Sequence, residues 1–237
     1  MVAPRFFGFV RTFVFICVGV FILEMFARFN PDGGQLFQTL IRFFGIVPEL
    51  FFKGMVYQAV TWVFFHGDLL HLLFNMFGFW MFGSLLQESF GERRFMTFVA
   101  TAGILSGLIV ATVGIFTPEM SNVPTIGASG IVFAILVAVS RMFPNQVVLF
   151  LFIFPMKLKY FAYLLIALEF YALWQSNSQG ISNIAHLGGA LIGWFYVSSS
   201  GSPSHWLRNI RDRWRHRRMR RKLRVVKNEG NKWQRLN

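Results

Sequence analysis

Six long apolar runs, at about 8–27, 59–86, 95–116, 127–143, 157–174 and 183–199, constrain this chain more than any other feature. A bilayer core about 30 Å thick takes about 20 apolar residues per helical crossing, and the runs approach or reach that length. Of the 237 residues 55% are hydrophobic and 14% charged, where a soluble domain carries about a quarter charged residues. With 31 phenylalanines and a mean hydropathy of +0.52, an ordinary soluble enzyme and a disordered chain are both excluded. Cys17 is the sole cysteine, which excludes an intrachain disulfide scaffold. The expected fold class is an all-α polytopic membrane protein with six transmembrane helices.

Charge is as unevenly distributed as hydropathy. The formal net charge is +13, yet residues 202–237 hold thirteen Lys/Arg against Asp212 and Glu229, or +11, leaving +2 for the rest. The chain therefore reads as a membrane domain, 1–200, and a basic tail, 201–237, and no nucleic-acid partner is expected. An even number of crossings returns both termini to one side. The positive-inside rule selects the cytoplasm for it, because Arg5, Arg11, Arg93, Arg94, Arg141, Lys157, Lys159 and the tail share that face. On the other face, 117–125 carries Glu119 and no Lys or Arg, and 175–182 (QSNSQGIS) has no charge.

Other segments refine this layout. The first loop, about 28–57, is long enough to be functional or membrane-associated and is expected partly in the outer interface. The run VVLFLFIFP at 147–155 ends at Pro155 and is read as an interfacial segment, not a crossing. The first apolar run lacks a small-x-small cleavage pattern and reads as a retained anchor. The tail either anchors the cytoplasmic side or, through Trp206, Trp214 and the interleaved arginines, lies on anionic lipids.

Polar groups inside apolar runs carry the functional information, because polarity there is costly. In the second run His71 and Asn75, four apart, share one helical face; His66, five before His71, is turned away by about 140°. Interhelical hydrogen bonding is one use of such a face and ligand contact another. In the fourth, Ser129 sits within Gly127-Ala128-Ser129-Gly130 at a helix start, where free N–H groups favour negative charge; small residues there also suit plain helix packing. In the sixth, His186 shares a face with Gly189 and Gly193, a spacing that admits another backbone closely. Facing the Ser129 helix, His186 would come within hydrogen-bond reach of Ser129, with Phe133 against its ring. A neutral histidine beside a serine hydroxyl is the requirement for an activated nucleophile. No acidic third member is apparent from the sequence: Asp68, Glu88 and Glu169 read as lying near helix ends, and Glu24 has no evident partner.

His71-x-x-x-Asn75, Gly127-Ala128-Ser129-Gly130 and Ala185-His186-x-x-Gly189-x-x-x-Gly193, in that order, resemble the rhomboid family of intramembrane serine proteases. The likeness covers about 10–200 and is dense from Tyr57 to Gly83. It implies a six-helix rhomboid-like bundle in which Ser129 is the nucleophile and His186 the general base and acid. The Ser129 N–H, His71 and Asn75 would hold the oxyanion, and His66 would be supporting structure or serve water access. It implies transmembrane protein substrates in a lipid bilayer and neither cofactor nor metal; there is no His-Glu-x-x-His. Two departures stand out: the first loop lacks the family's Trp-Arg pair, and Phe133 replaces a frequent tyrosine. The alternative is a catalytically silent rhomboid-like chaperone or dislocation factor, although such proteins typically lack the serine or the histidine. The short N-terminus and compact core point to a bacterial cytoplasmic membrane.

Overall fold

The computed structural model describes residues 4–29, 31, 34–150, 153–175 and 180–199. The basic tail, 201–237, and residues 176–179 of the uncharged connection 175–182 lie outside the described residues. The elements in order are α1 (Gly8–Arg28), α2 (Gln35–Phe44), α3 (Pro48–Phe52), α4 (Gln58–Thr61) and α5 (Leu69–Phe90), with one 3₁₀ turn, Trp62–Phe64, ahead of α5. They continue with α6 (Glu92–Ile115), α7 (Ser129–Met142), strands β1 (Val147–Phe150) and β2 (Phe154–Lys157), α8 (Leu158–Gln175) and α9 (Ile181–Ser199). Among them α1, α5 and α6 are long and apolar enough to cross a membrane, and α7 is a shorter apolar helix.

The expected run at 59–86 is not one helix. Asp68 accepts the His71 N–H at 2.8 Å and starts α5 ten residues late, because an N-cap carboxylate satisfies a first-turn donor that a continuous helix would not leave free. The residues before it form α4 and the 3₁₀ turn. The fold also departs from all-α at 147–157, where β1 and β2 pair antiparallel with Val147 opposite Lys157 and Phe150 opposite Phe154. β-branched and aromatic residues favour that pairing, and Pro155, lacking an N–H, cannot sit inside a helix. The segment is not a crossing, as its sequence indicates.

The interior is aromatic. Phe13 of α1 stacks on Phe79 of α5 at 4.3 Å, and Phe95, Phe98 and Trp62 are fully buried beside them. Two buried glutamines are matched. Gln87 of α5 accepts the Val10 N–H at 3.0 Å and donates to the Phe7 carbonyl at 3.2 Å, which satisfies groups at the start of α1. Gln58 donates to the Arg42 and Phe43 carbonyls and accepts the Val47 N–H, each at 3.1 Å, so it fixes the α2–α3 connection. On the same connecting region Lys53 pairs with Glu49, which holds that carboxyl below its usual range. Outward faces are equally apolar: Leu23, Phe26 and Phe74 are exposed, the pattern of helices solvated by lipid.

The closest helix approach joins α7 and α9, because neither backbone is kept away by side chains. A Cβ on Gly189 would fall on the Gly130 carbonyl oxygen, and one on Gly193 on that of Ala134. Gly189→Leu or Gly193→Leu therefore forces the two helices apart. Each is expected to lower unfolding stability by about 1–3 kcal/mol or more, measured by thermal or denaturant melts in detergent.

Candidate active site

The α7–α9 contact brings the two sequence-predicted residues together. Ser129, the first residue of α7, has its Oγ 2.6 Å from Nε2 of His186. Phe133, one turn on from Ser129, stacks on the His186 ring at 4.7 Å and 7° and fixes its plane. The N–H of Ser129 belongs to the first turn of α7, where amides have no partner within the helix and favour negative charge.

The chain enters α7 through a stretch pinned on two sides. Ile46 and Thr125 exchange backbone hydrogen bonds of 2.9 and 2.8 Å, and Gly127 donates to the Trp62 carbonyl at 3.0 Å. Gly127 has φ +121°, a backbone that side-chain-bearing residues rarely adopt, and its open side faces α5. A Cβ there would lie 2.6 Å from Nε2 of His71 and 3.7 Å from Nδ2 of Asn75. Both side chains thus converge on the backbone two residues ahead of Ser129, with Asn75 buried and His71 half-buried.

The His71 ring is oriented by its second nitrogen. Nδ1 accepts the Gly67 N–H at 3.2 Å, so the proton of a neutral His71 resides on Nε2, the nitrogen turned toward Gly127. The loop supplying that N–H is tied to α1. Glu24 accepts the His66 N–H at 3.1 Å, while Arg28 donates to the carbonyls of His66 at 3.2 Å and Gly67 at 2.6 Å. Arg28 also lies 3.5 Å from the Phe37 ring centroid. His66 is buried in this loop, not on α5, with Nδ1 donating to the Phe64 carbonyl at 3.2 Å and its ring edge-on to His71 at 5.2 Å. The 140° separation read from one continuous helix therefore does not apply.

A family model described as the Rhomboid domain matches residues 53–200, a span that includes Ser129, His186, His71 and Asn75. The chain belongs to the rhomboid family. RHOMBOID-like protein 12, mitochondrial, of Arabidopsis thaliana is 29% identical over 187 residues, 73% of this chain and 53% of its own length. The human presenilin-associated rhomboid-like protein, mitochondrial (Homo sapiens), is 29% identical over 169 residues, covering 69% of this chain and 42% of its own. Rhomboid protease GluP of Bacillus subtilis (strain 168) is 28% identical over 193 residues, covering 81% and 35%. The chain spans about half or less of the length of these curated relatives. They are mitochondrial as well as bacterial, so the bacterial assignment made from sequence is not carried by them.

One correction concerns a residue this rhomboid chain carries outside the three motifs. The sequence offered no acidic third member, yet Oε2 of Glu169, from α8, lies 2.8 Å from Nδ1 of His186. It also accepts from Nδ2 of Asn183 at 2.6 Å. The carboxylate oxygen stands off the line of the ring N–H, so the contact is a close approach and not an aligned hydrogen bond. Its sequence signal is a lone acid within the fifth apolar run, with Asn183 and His186 three apart on one face of the sixth.

The Gly127 geometry yields a test. Gly127→Ala fills the space that His71 and Asn75 face and strains a positive-φ backbone. It is expected to slow fluorophosphonate labelling of Ser129 by about 10²-fold or more, the scale of a lost oxyanion donor, while the protein stays folded; labelling at the wild-type rate would contradict the geometry.

Proposed function

We propose that this rhomboid chain is an intramembrane serine endopeptidase that cuts transmembrane protein substrates with Ser129 and His186. The 2.6 Å Ser129–His186 contact carries the reading, since it pairs a hydroxyl with a base at proton-transfer distance. Ser129 Oγ attacks the scissile carbonyl carbon and its proton passes to Nε2 of His186, while the carbonyl π electrons move onto oxygen. The Ser129 N–H, the His71 Nε2–H and the Asn75 amide stabilise that oxyanion. Collapse breaks the C–N bond and the amine leaves with the Nε2 proton. Water, deprotonated by the same nitrogen, then hydrolyses the acyl-enzyme and restores Ser129.

The membrane arrangement belongs to the same proposal. Six crossings, formed by α1 and α5–α9, place both termini in the cytoplasm, with the membrane domain at 1–200 and a basic cytoplasmic tail at 201–237 that anchors that side. The 14 residues of α7 span about 21 Å of a core about 30 Å thick. With Arg141 at the cytoplasmic edge, Ser129, twelve residues before it, sits about 12 Å below the outer one. A substrate helix must unwind locally to reach it, which favours small and helix-weakening residues at the cut. The proposed host is a bacterial cytoplasmic membrane, a choice that rests on the sequence.

Cleavage of a transmembrane reporter in liposomes checks the proposal. Wild type is expected to cut it. Ser129→Ala and His186→Ala should each lose at least about 10³-fold in rate, and Asn75→Ala about 10²-fold. Unchanged cleavage by Ser129→Ala would overturn the assignment, and wild-type binding without cleavage would favour the chaperone alternative.

A further inference from the structure

An acidic residue in a lipid-facing helix is costly unless something holds it. In α8 the flanking Leu168 and Phe170 are 49% and 60% exposed, whereas the Glu169 side chain is 17% exposed and turned toward α9. There it meets two groups of one helix face: Nδ1 of His186 at 2.8 Å and Nδ2 of Asn183 at 2.6 Å, both on Oε2. The titratable groups turned toward His186 are thus Glu169 from α8 and His71 from α5, with Ser129 supplied by α7.

The His186 ring has three restraints that differ in what they select. Phe133, stacked within 7°, fixes the plane but is indifferent to which nitrogen carries the proton. Ser129 can donate to Nε2 or accept from it, so it too leaves the tautomer open. A carboxylate only accepts, and its charge beside Nδ1 favours hydrogen on that nitrogen over a bare lone pair. Nε2 is then left with its lone pair toward the Ser129 hydroxyl, the tautomer that a general base needs.

We propose that Glu169 is a positioning residue for the Ser129–His186 pair, its carboxylate selecting the Nδ1–H tautomer of His186 and facing the positive charge the ring gains when Ser129 attacks. This rests on the serine-protease reading above. On attack the Ser129 proton moves to Nε2 and the Nδ1 proton stays in place. When the amine leaves it takes the Nε2 proton, and Glu169 gives and receives none. Asn183 keeps the carboxylate from swinging toward lipid.

The test uses the full chain as wild type, Glu169→Leu, Glu169→Gln and Glu169→Asp, with leucine chosen because it suits an apolar helix. Two readouts are taken: kcat and KM on a transmembrane reporter, and the ¹⁵N imidazole shifts of histidine-labelled protein, the His186 signal being identified by its loss in His186→Ala. Expected are a single Nδ1–H tautomer in wild type and a mixture in Glu169→Leu. The leucine variant should lose about 10- to 100-fold in kcat with KM little changed, short of the roughly 10⁴-fold seen for the buried aspartate of soluble serine proteases because this contact is off-line and partly exposed. Glu169→Gln should fall as well, and Glu169→Asp should recover part of the rate. A folded Glu169→Leu with wild-type kcat and an unchanged tautomer overturns the proposal, as does a loss confined to KM. A wild type that neither cleaves nor labels with fluorophosphonate overturns the protease reading itself, whereas an active wild type indifferent to Glu169 overturns only this one.

Discussion

Everything at this site depends on two helix backbones touching where side chains would ordinarily hold them apart. Gly189 and Gly193 of α9 lie against the carbonyls of Gly130 and Ala134 of α7, with no volume between them for a methyl group. In a bilayer there is little hydrophobic force to press helices together, so association rests on close van der Waals contact and on interhelical polar contacts. The glycines provide the first and the Ser129–His186 hydrogen bond the second. The chemistry and the packing are thus one interaction: moving α9 outward by the width of a side chain would remove both.

A second layer aims the partners of that pair. His71 presents an N–H toward Gly127 because the Gly67 N–H occupies its other nitrogen, and Gly67 is held because Arg28 and Glu24 of α1 grip the loop. His186 carries a carboxylate at the corresponding nitrogen. The two rings have opposite surroundings: a donor behind His71 makes it a donor forward, and under the proposal for Glu169 an acceptor behind His186 suits it to accept. Basic residues at 28–57 are used locally, Arg28 on the carbonyls of His66 and Gly67 and Lys53 on Glu49.

Much of this was legible in the residues. The apolar runs mark the long helices, and Ser129, His186, His71 and Asn75 stand out because polarity is expensive in such segments. What escaped was set by register and by short-range competition. The run at 59–86 has no proline and few polar groups to break it, so the late start of α5 was hidden in one N-cap, Asp68. Glu169 was placed near a helix end, and which face of α8 meets α9 depends on an interhelical rotation that one sequence does not encode locally. The 147–157 hairpin is the milder case: Pro155 declared that the segment was not a spanning helix, but antiparallel pairing needs a partner strand, here the same segment folded back.

An activated Ser129 nucleophile inside a lipid bilayer is the property on which the proposed chemistry rests. Peptide-mapped mass spectrometry of the full chain in lipid nanodiscs, treated with a fluorophosphonate, measures this. One phosphonyl adduct is expected, on Ser129, and it should disappear in His186→Ala although Ser129 is intact. An adduct on another serine, or an equal adduct on Ser129 without His186, would contradict it.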